Sequence, residues 1–241
     1  MVNLLKIFLR KKTDSSVHPS ASGKACHLAE GIDWHCHILP GVDDGFQEQE
    51  KSLQMLQIYE KIGLKEVWFT PHIMEDVPNE TSHLRRVFAE FQSAYMADYT
   101  QRNPEGTEPL SLHLAAENML DALFEKRLKA HDLLPLGKEG NMLLVETSIF
   151  SAPMNFYGLI ERIKNAGYTP VLAHPERYLY MEKADYEKLK KMGVKFQKNL
   201  FSTQGQYGDR VKKRCKQLMK WGMYDLTGSD LHREGVFWRY W

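Results

Sequence analysis

Two short patterns, His35-x-His37 and Asp230-x-His232, each place two metal-binding side chains two residues apart. On an extended strand such residues point to the same face, so both can grip one ion. Cys36, between the two histidines, is expected to face away. Other good ligands recur in the same kind of place, just after a short apolar run. They are Asp44 (beside Asp43), His72 in Thr70-Pro71-His72, Glu117 in Ala116-Glu117-Asn118, Glu146 in Val145-Glu146-Thr147, and His174 in Ala173-His174-Pro175-Glu176-Arg177. His35, His37, Asp44, His72, Glu117, Glu146, His174, Asp230 and His232 thus make nine candidate ligands, five histidines and four carboxylates. That is too many for one tetrahedral zinc. It suits two or three ions sharing bridging carboxylates, an arrangement that clamps both the attacking and the leaving oxygen of a phosphoryl displacement. Three divalent ions would outweigh four carboxylates, so the pocket would attract a phosphate monoester dianion. A lone strand-end histidine is usually structural, and His18, His27, His83, His113 and His131 are read that way. His113 shares strand parity with Glu117 but receives no role.

These ligands need a scaffold that delivers one strand end after another. Seven strand-like runs stand out: Ile32–His35, Glu66–Thr70, Leu110–Ala115, Met142–Glu146, Thr169–Ala173, Lys195–Gln197 and Tyr224–Thr227. Helical stripes lie between them. Leu84, Val87, Phe88, Phe91 and Tyr95 fall on one helix face, as do Leu53, Leu56, Tyr59 and Ile62, a stripe closed by Gly63. Phe156, Leu159, Ile160 and Ile163 form a third stripe, with Asn155 as an N-cap and Gly167 as a stop. Strand and helix in alternation predict a parallel sheet. The lack of a Gly-rich phosphate loop favours a closed barrel, whose active site lies at the C-terminal ends of its strands.

Composition narrows the function classes. Lys+Arg (32) and Asp+Glu (31) nearly cancel, which gives no case for a nucleic-acid partner. The three cysteines, Cys26, Cys36 and Cys215, form no disulfide framework and fit a reducing cytoplasm. The residues six positions after them are Ile32, Val42 and Trp221, so none forms the Cys-to-Arg loop on which thiolate phosphatases depend. No apolar run reaches the ~18 residues of a transmembrane helix. The start, MVNLLKIFLRKK, is followed by a Ser-rich stretch, and residues 1–30 are expected to be a flexible basic segment whose membrane contact is at most peripheral. Residues 31–241 are expected to form the catalytic domain.

The ordered set Asp33 to Gly45 (Asp-x-His-x-His-x-Leu-Pro-Gly-x-Asp-Asp-Gly), Thr70 to His72, Ala116-Glu117, Val145 to Thr147, Ala173 to Tyr178 (Ala-His-Pro-Glu-Arg-Tyr), Gln197 to Asn199 and Gly228 to His232 resembles the PHP (polymerase and histidinol phosphatase) superfamily. Within it, the set is most similar to the bacterial manganese-dependent protein tyrosine phosphatases of capsule and exopolysaccharide gene clusters. The resemblance implies an α/β fold, a distorted seven-stranded (β/α) barrel of PHP type. It implies that the nine residues above ligate manganese; the donors themselves equally suit iron or zinc. It also implies that Arg177 binds phosphate, which suits a planar guanidinium, and that the substrate is a phosphotyrosine protein, a tyrosine kinase that regulates polysaccharide length. His72 or Asp44 would assist leaving-group protonation. The family carries a further arginine shortly after its last histidine; position 237 is Phe here, so the C-terminus reads as truncated or divergent, with Arg233 or Arg239 as substitutes. Two other readings share the metal site: a small-metabolite phosphatase of histidinol-phosphate type, and a catalytically weak metal-binding module.

Overall fold

Every one of the seven apolar runs forms strand, and every strand pairing is parallel. A computed structural model describes residues 28, 31–106 and 108–241. The basic, Ser-rich segment, with His18, Cys26 and His27, lies outside the described residues. The strands are β1 (Ile32–Cys36), β2 (Glu66–Phe69), β3 (His72–Ile73), β4 (Ser111–Leu114), β5 (Glu117–Met119), β6 (Met142–Glu146), β7 (Thr169–Ala173), β8 (Lys195–Asn199) and β9 (Leu226–Gly228). The helices are α1 (Gln49–Lys61), α2 (Thr81–Arg102), α3 (Ala122–Ala130), α4 (Phe156–Asn165), α5 (Lys183–Lys191), α6 (Asp209–Lys220) and α7 (Glu234–Tyr240). None of the helices among the described residues is long and apolar enough to cross a membrane.

Nine strands stand where seven runs were expected, because a short strand follows each of the second and third runs and joins another sheet. β3 is separated from β2 by Pro71, which has no N–H to give to a ladder. β5 is separated from β4 between Ala115 and Ala116. Ala115 still donates to Phe69 O at 2.8 Å, whereas Ala116 donates to Leu134 O at 3.2 Å. The result is a three-stranded sheet, β1-β2-β4, and a six-stranded sheet, β3-β5-β6-β7-β8-β9. The segment after β9 returns to β1: Asp230 N donates to His35 O at 2.7 Å, His37 N donates to Leu231 O at 3.1 Å, and Cys36 bridges Leu231 in parallel. The chain is therefore a mixed α/β fold built on a curled parallel sheet.

Strand parity divides the core. In β6, Leu143 and Val145 face outward onto α4 and its stripe of Phe156, Leu159, Ile160 and Ile163. Met142 and Leu144 face inward with Trp68, Val171 and Ala173. Glu146 continues the inward parity at the strand's C-terminal end. In β1 the register shifts between Asp33 and Cys36. Trp34 packs on the inward cluster and stacks on Trp68, while Cys36 lies in the outer core among Val67, Phe69 and Leu56. Gly63 closes α1 with a φ of +87, as its helix-stop role requires. Asn155 does precede α4, but at φ 55 and without a side-chain capping bond, so it acts as a left-handed turn residue rather than a cap. Phe237, where the resemblance leads us to expect arginine, is buried with Tyr59 and Phe201 and anchors α7 to the core.

Candidate metal centre

The nine predicted ligands converge where β1 and β6 end, where β3 and β5 begin, and in the segments that follow β1, β7 and β9. Glu117, at the start of β5, is the hub. Its Oε2 lies 3.2 Å from His35 Nε2, 3.3 Å from His37 Nε2 and 3.2 Å from His72 Nδ1. Its Oε1 accepts a hydrogen bond of 2.8 Å from His174 Nε2. His35 Nε2 and His37 Nε2 are 3.0 Å apart, and Asp230 Oδ1 approaches them at 3.4 and 3.6 Å. Glu146 Oε1 lies 3.2 Å from His72 Nδ1. Asp44 Oδ1 lies 3.5 Å from both His72 Nε2 and His232 Nε2. Three overlapping groups result among the described residues: His35, His37, Glu117 and Asp230; His72, Glu117 and Glu146; and His37, Asp44, His72 and His232. His174 stands beside the second group, 3.8 Å from Glu146 Oε2. Asp44 sits at the mouth, its side chain 69% exposed, whereas the side chains of His35, His37, Glu117, His174 and Asp230 are at most 1% exposed.

The residues fit metal ions for a reason visible in their unmet bonding. Glu117 Oε2, Glu146 Oε1, Asp230 Oδ1, His72 Nδ1 and His174 Nδ1 are buried without a hydrogen-bond partner. Buried polar atoms left unpaired are costly. Glu117 Oε2 and Glu146 Oε1 both face His72 Nδ1, and Asp230 Oδ1 faces His35 and His37, arrangements that cations bridged by Glu117 would satisfy. Backbone strain marks the same place: Asp230 (φ 52) and His174 (φ 34) both hold left-handed conformations.

The site's electrostatics follow from the crowding of opposite charges. Burial pulls His35 down, but Glu117 and Asp230 outweigh it and lift its pKa to about 9. Burial raises Glu117, yet His35, His174 and His37 hold it well below the carboxylate range. His232 falls to about 4, through burial and its neighbour His37, which outweigh Asp230 and Asp44. A cation bound among these groups would compete with protons for the imidazole nitrogens.

A second layer of side chains fixes the ligands. Asp43 Oδ2 accepts from His37 Nδ1 at 2.7 Å and from His72 N at 3.0 Å, and Oδ1 accepts from Gly45 N at 2.9 Å. Gln197 Oε1 lies 2.8 Å from His35 Nδ1. Asp33 accepts from Ser229 N at 2.7 Å and from the Tyr59 hydroxyl at 2.9 Å, tying β1 to the end of β9. Asp230 Oδ2 accepts from Asn199 Nδ2 at 2.5 Å and from the Tyr207 hydroxyl at 2.7 Å. Arg177 follows His174 on a 3-10 turn (Pro175–Arg177), its Nη1 3.5 Å from Asp230 Oδ2. Cys36 points away from the ligands: burial pushes its thiol well up, and its Sγ donates to Trp68 O.

The sequence of residues 31–236 matches the CpsB/CapC family of capsular polysaccharide synthesis. The chain belongs to this family. It is 27% identical over 207 residues to the tyrosine-protein phosphatase YwqE of Bacillus subtilis, covering 83% of this chain and 77% of that one. It is 27% identical over 214 residues to the tyrosine-protein phosphatase CpsB of Streptococcus pneumoniae, covering 83% and 82%. The fold superposes on a solved structure from a study of YwqE and CpsB, described as metal-dependent tyrosine phosphatases, with a TM-score of 0.74 at 25% identity over 85% of this chain and 81% of that one.

Within this CpsB/CapC chain, the structure brings all nine predicted ligands and Arg177 together. It does not bring Arg233 or Arg239 to them. Both are exposed, and among the described residues neither is seen bonded to a cluster residue; Arg233 is the N-cap of α7 and Arg239 lies in its last turn. Sequence reasoning assigned no role to Asp33, Asp43, Tyr59, Gln197, Asn199 or Tyr207. For Gln197 and Asn199 a signal existed, since they end a strand like the ligands do. For Tyr207, in a turn before α6, there was none.

Proposed function

We propose that this chain is a metal-dependent protein tyrosine phosphatase of capsule or exopolysaccharide synthesis. Its substrate is a phosphotyrosine protein, a polysaccharide-regulating tyrosine kinase in the cytoplasm. The observation that carries the reading is Glu117 Oε2, a buried and unpaired anionic oxygen within 3.3 Å of three imidazoles, with Arg177 beside them. His35, His37, Asp44, His72, Glu117, Glu146, His174, Asp230 and His232 would hold two or three ions, manganese foremost and iron or zinc on the same donors. We read the two sheets as one distorted barrel of seven β/α units, and residues 31–241 as its domain.

When bound, the ions supply Lewis-acid polarisation of phosphoryl oxygens and bring a water's pKa toward ~7. The chain's own groups do the rest. Arg177 offers a charged fork to the equatorial oxygens, where negative charge grows as phosphorus is attacked. Asp43 keeps the Nδ1 proton on His37, so that Nε2 presents its lone pair to the cluster. Gln197 does the same for His35. Asp44 or His72, at the open edge, would be the group to protonate the leaving phenolate when it is not holding an ion. The loop after Glu146 carries Phe150 and Met154, 84% and 95% exposed, apolar surface that suits a polypeptide substrate better than a small polar metabolite.

Purification without chelator, with elemental analysis, and assay on a phosphotyrosine peptide and on histidinol phosphate tests this. The expected result is two or three metals per chain, turnover abolished by EDTA and restored by manganese, and preference for the peptide. Preference for histidinol phosphate would move the substrate to the metabolite class. Metal without turnover on either would leave a binding module, and no metal at all would sink the site.

A further inference from the structure

Tyr207 belongs to neither the ligand set nor any motif, yet it touches two groups on which the proposed chemistry depends. It lies between a 3-10 turn (Leu200–Thr203) and α6, in a turn pinned by Gln206 N donating to Phe201 O and Gly208 N donating to Gly205 O. Its hydroxyl donates to Asp230 Oδ2 at 2.7 Å. Its ring centre lies 4.6 Å from the Arg177 guanidinium carbon. The two oxygens of Asp230 are thereby divided. Oδ2 takes Tyr207, Asn199 and the approach of Arg177, while Oδ1, with no hydrogen-bond partner, faces His35 and His37.

We infer that Tyr207 is a positioning residue with two separable duties: its hydroxyl aims Asp230 Oδ1 at the metal group, and its ring holds Arg177 where phosphate oxygens arrive. This rests on the phosphatase reading. Arg177 needs such a hold. Its closest charged partner, Asp230 Oδ2, is at 3.5 Å, too far for a well-formed hydrogen bond. An arginine side chain released from a fixed geometry must be re-ordered each time it binds an anion. A flat aromatic face under the guanidinium restrains it and leaves its N–H donors free.

The duties separate in two variants, Tyr207→Phe and Tyr207→Leu, compared with the parent chain. Manganese is titrated into the metal-free proteins, and inorganic phosphate into the manganese-saturated ones, both by calorimetry. Tyr207→Phe removes only the hydroxyl. Its manganese affinity is expected to fall roughly tenfold to a hundredfold, as for other residues that orient a ligand, with phosphate affinity within about twofold of the parent at saturating metal. Tyr207→Leu also removes the ring. It should bind phosphate roughly three- to thirtyfold more weakly, and KM for a phosphotyrosine peptide should rise more than kcat falls. Equal constants in all three proteins overturn the proposal. So does a Tyr207→Phe variant that loses phosphate as severely as Tyr207→Leu, because the ring would then carry nothing. If Tyr207→Leu does not fold, Tyr207→Phe decides alone: unaltered manganese affinity overturns the proposal. Neither titration needs turnover. A parent chain that binds manganese and phosphate without hydrolysing phosphotyrosine breaks the phosphatase reading and leaves Tyr207 to be judged on the same constants. A parent that binds no manganese overturns both.

Discussion

In one cluster Glu66 of β2 and His113 of β4 sit together with Trp68 and Lys138; in the other Glu117 of β5 and Glu146 of β6 sit among five histidines. Both places offer carboxylate and imidazole to a largely buried interior. Their bonding is opposite. Glu66 Oε1 accepts from Trp68 Nε1 at 2.9 Å and lies 3.5 Å from His113 Nε2, while Oε2 takes Lys138 Nζ at 2.8 Å. His113 also meets Ser111 Oγ at 3.0 Å and stacks on Trp68. No atom of Glu66 or His113 is buried unpaired, whereas Glu117, Glu146, Asp230, His72 and His174 all contribute one that is. The titration directions diverge too. Burial lowers His113, and Glu66 alone does not reverse it. At His35 two carboxylates reverse the burial effect. A histidine beside a carboxylate is thus not a metal site by composition. It becomes a candidate when the lone pairs are left over and aimed at a common point.

Removing the hub is the strongest way to break that contrast. Glu117→Gln exchanges one anionic oxygen for an amide at the point where three imidazoles meet. Several kcal/mol of transition-state stabilisation should be lost, which is about a thousandfold or more in kcat/KM, and bound metal should drop in elemental analysis. Near-normal turnover with full metal content would mean that the unpaired oxygens are not the working ones. Asp43→Asn is the milder probe. It leaves all nine ligands but weakens the acceptor that holds the His37 proton and two backbone N–H groups. Manganese affinity is expected to fall roughly tenfold to a hundredfold, read from the metal concentration at half-maximal activity. An unchanged value would show that His37 is oriented by its packing alone, where its ring stacks 3.8 Å from that of His232.

The metal centre was legible because its signal is local. Two residues of separation put His35 with His37 and Asp230 with His232, and a ligand at the end of each apolar run needs only the strand to be recognised. What escaped depends on contacts between distant segments or on backbone that has no period. Asp43 and Asp44 are neighbours in a turn, and nothing in their identity says that Asp43 turns inward to His37 while Asp44 stays at the mouth. Trp34 follows the inward parity of Ile32, but β1 shifts register between Asp33 and Cys36, an event set by its pairing with β2. The cut at Pro71 could have been read from its missing N–H, but the cut at Ala115 could not, since it arises when Ala116 turns to Leu134. The parallel order was legible; the division into two sheets was not.

Glu66→Gln probes the other side of the contrast, with the smallest effect. Burial raises the Glu66 pKa, but bonds from Lys138 and Trp68, with the charge of His113, outweigh it and leave the group below its ordinary value. A carboxylate with a depressed folded pKa stabilises the protein above its unfolded pKa of about 4.3 and loses that stabilisation as pH falls through the folded value. The variant keeps an oxygen for Trp68 and loses the charge that holds Lys138 and faces His113. Lys138 is 72% exposed, so its ion pair is worth little. The expected cost is about 1 kcal/mol at pH 7 in a denaturant melt, shrinking toward zero below about pH 4. Metal content and turnover should not change. A Glu66→Gln protein that bound less manganese would show that the two clusters are coupled, and the satisfied cluster would then have to be counted as part of the site.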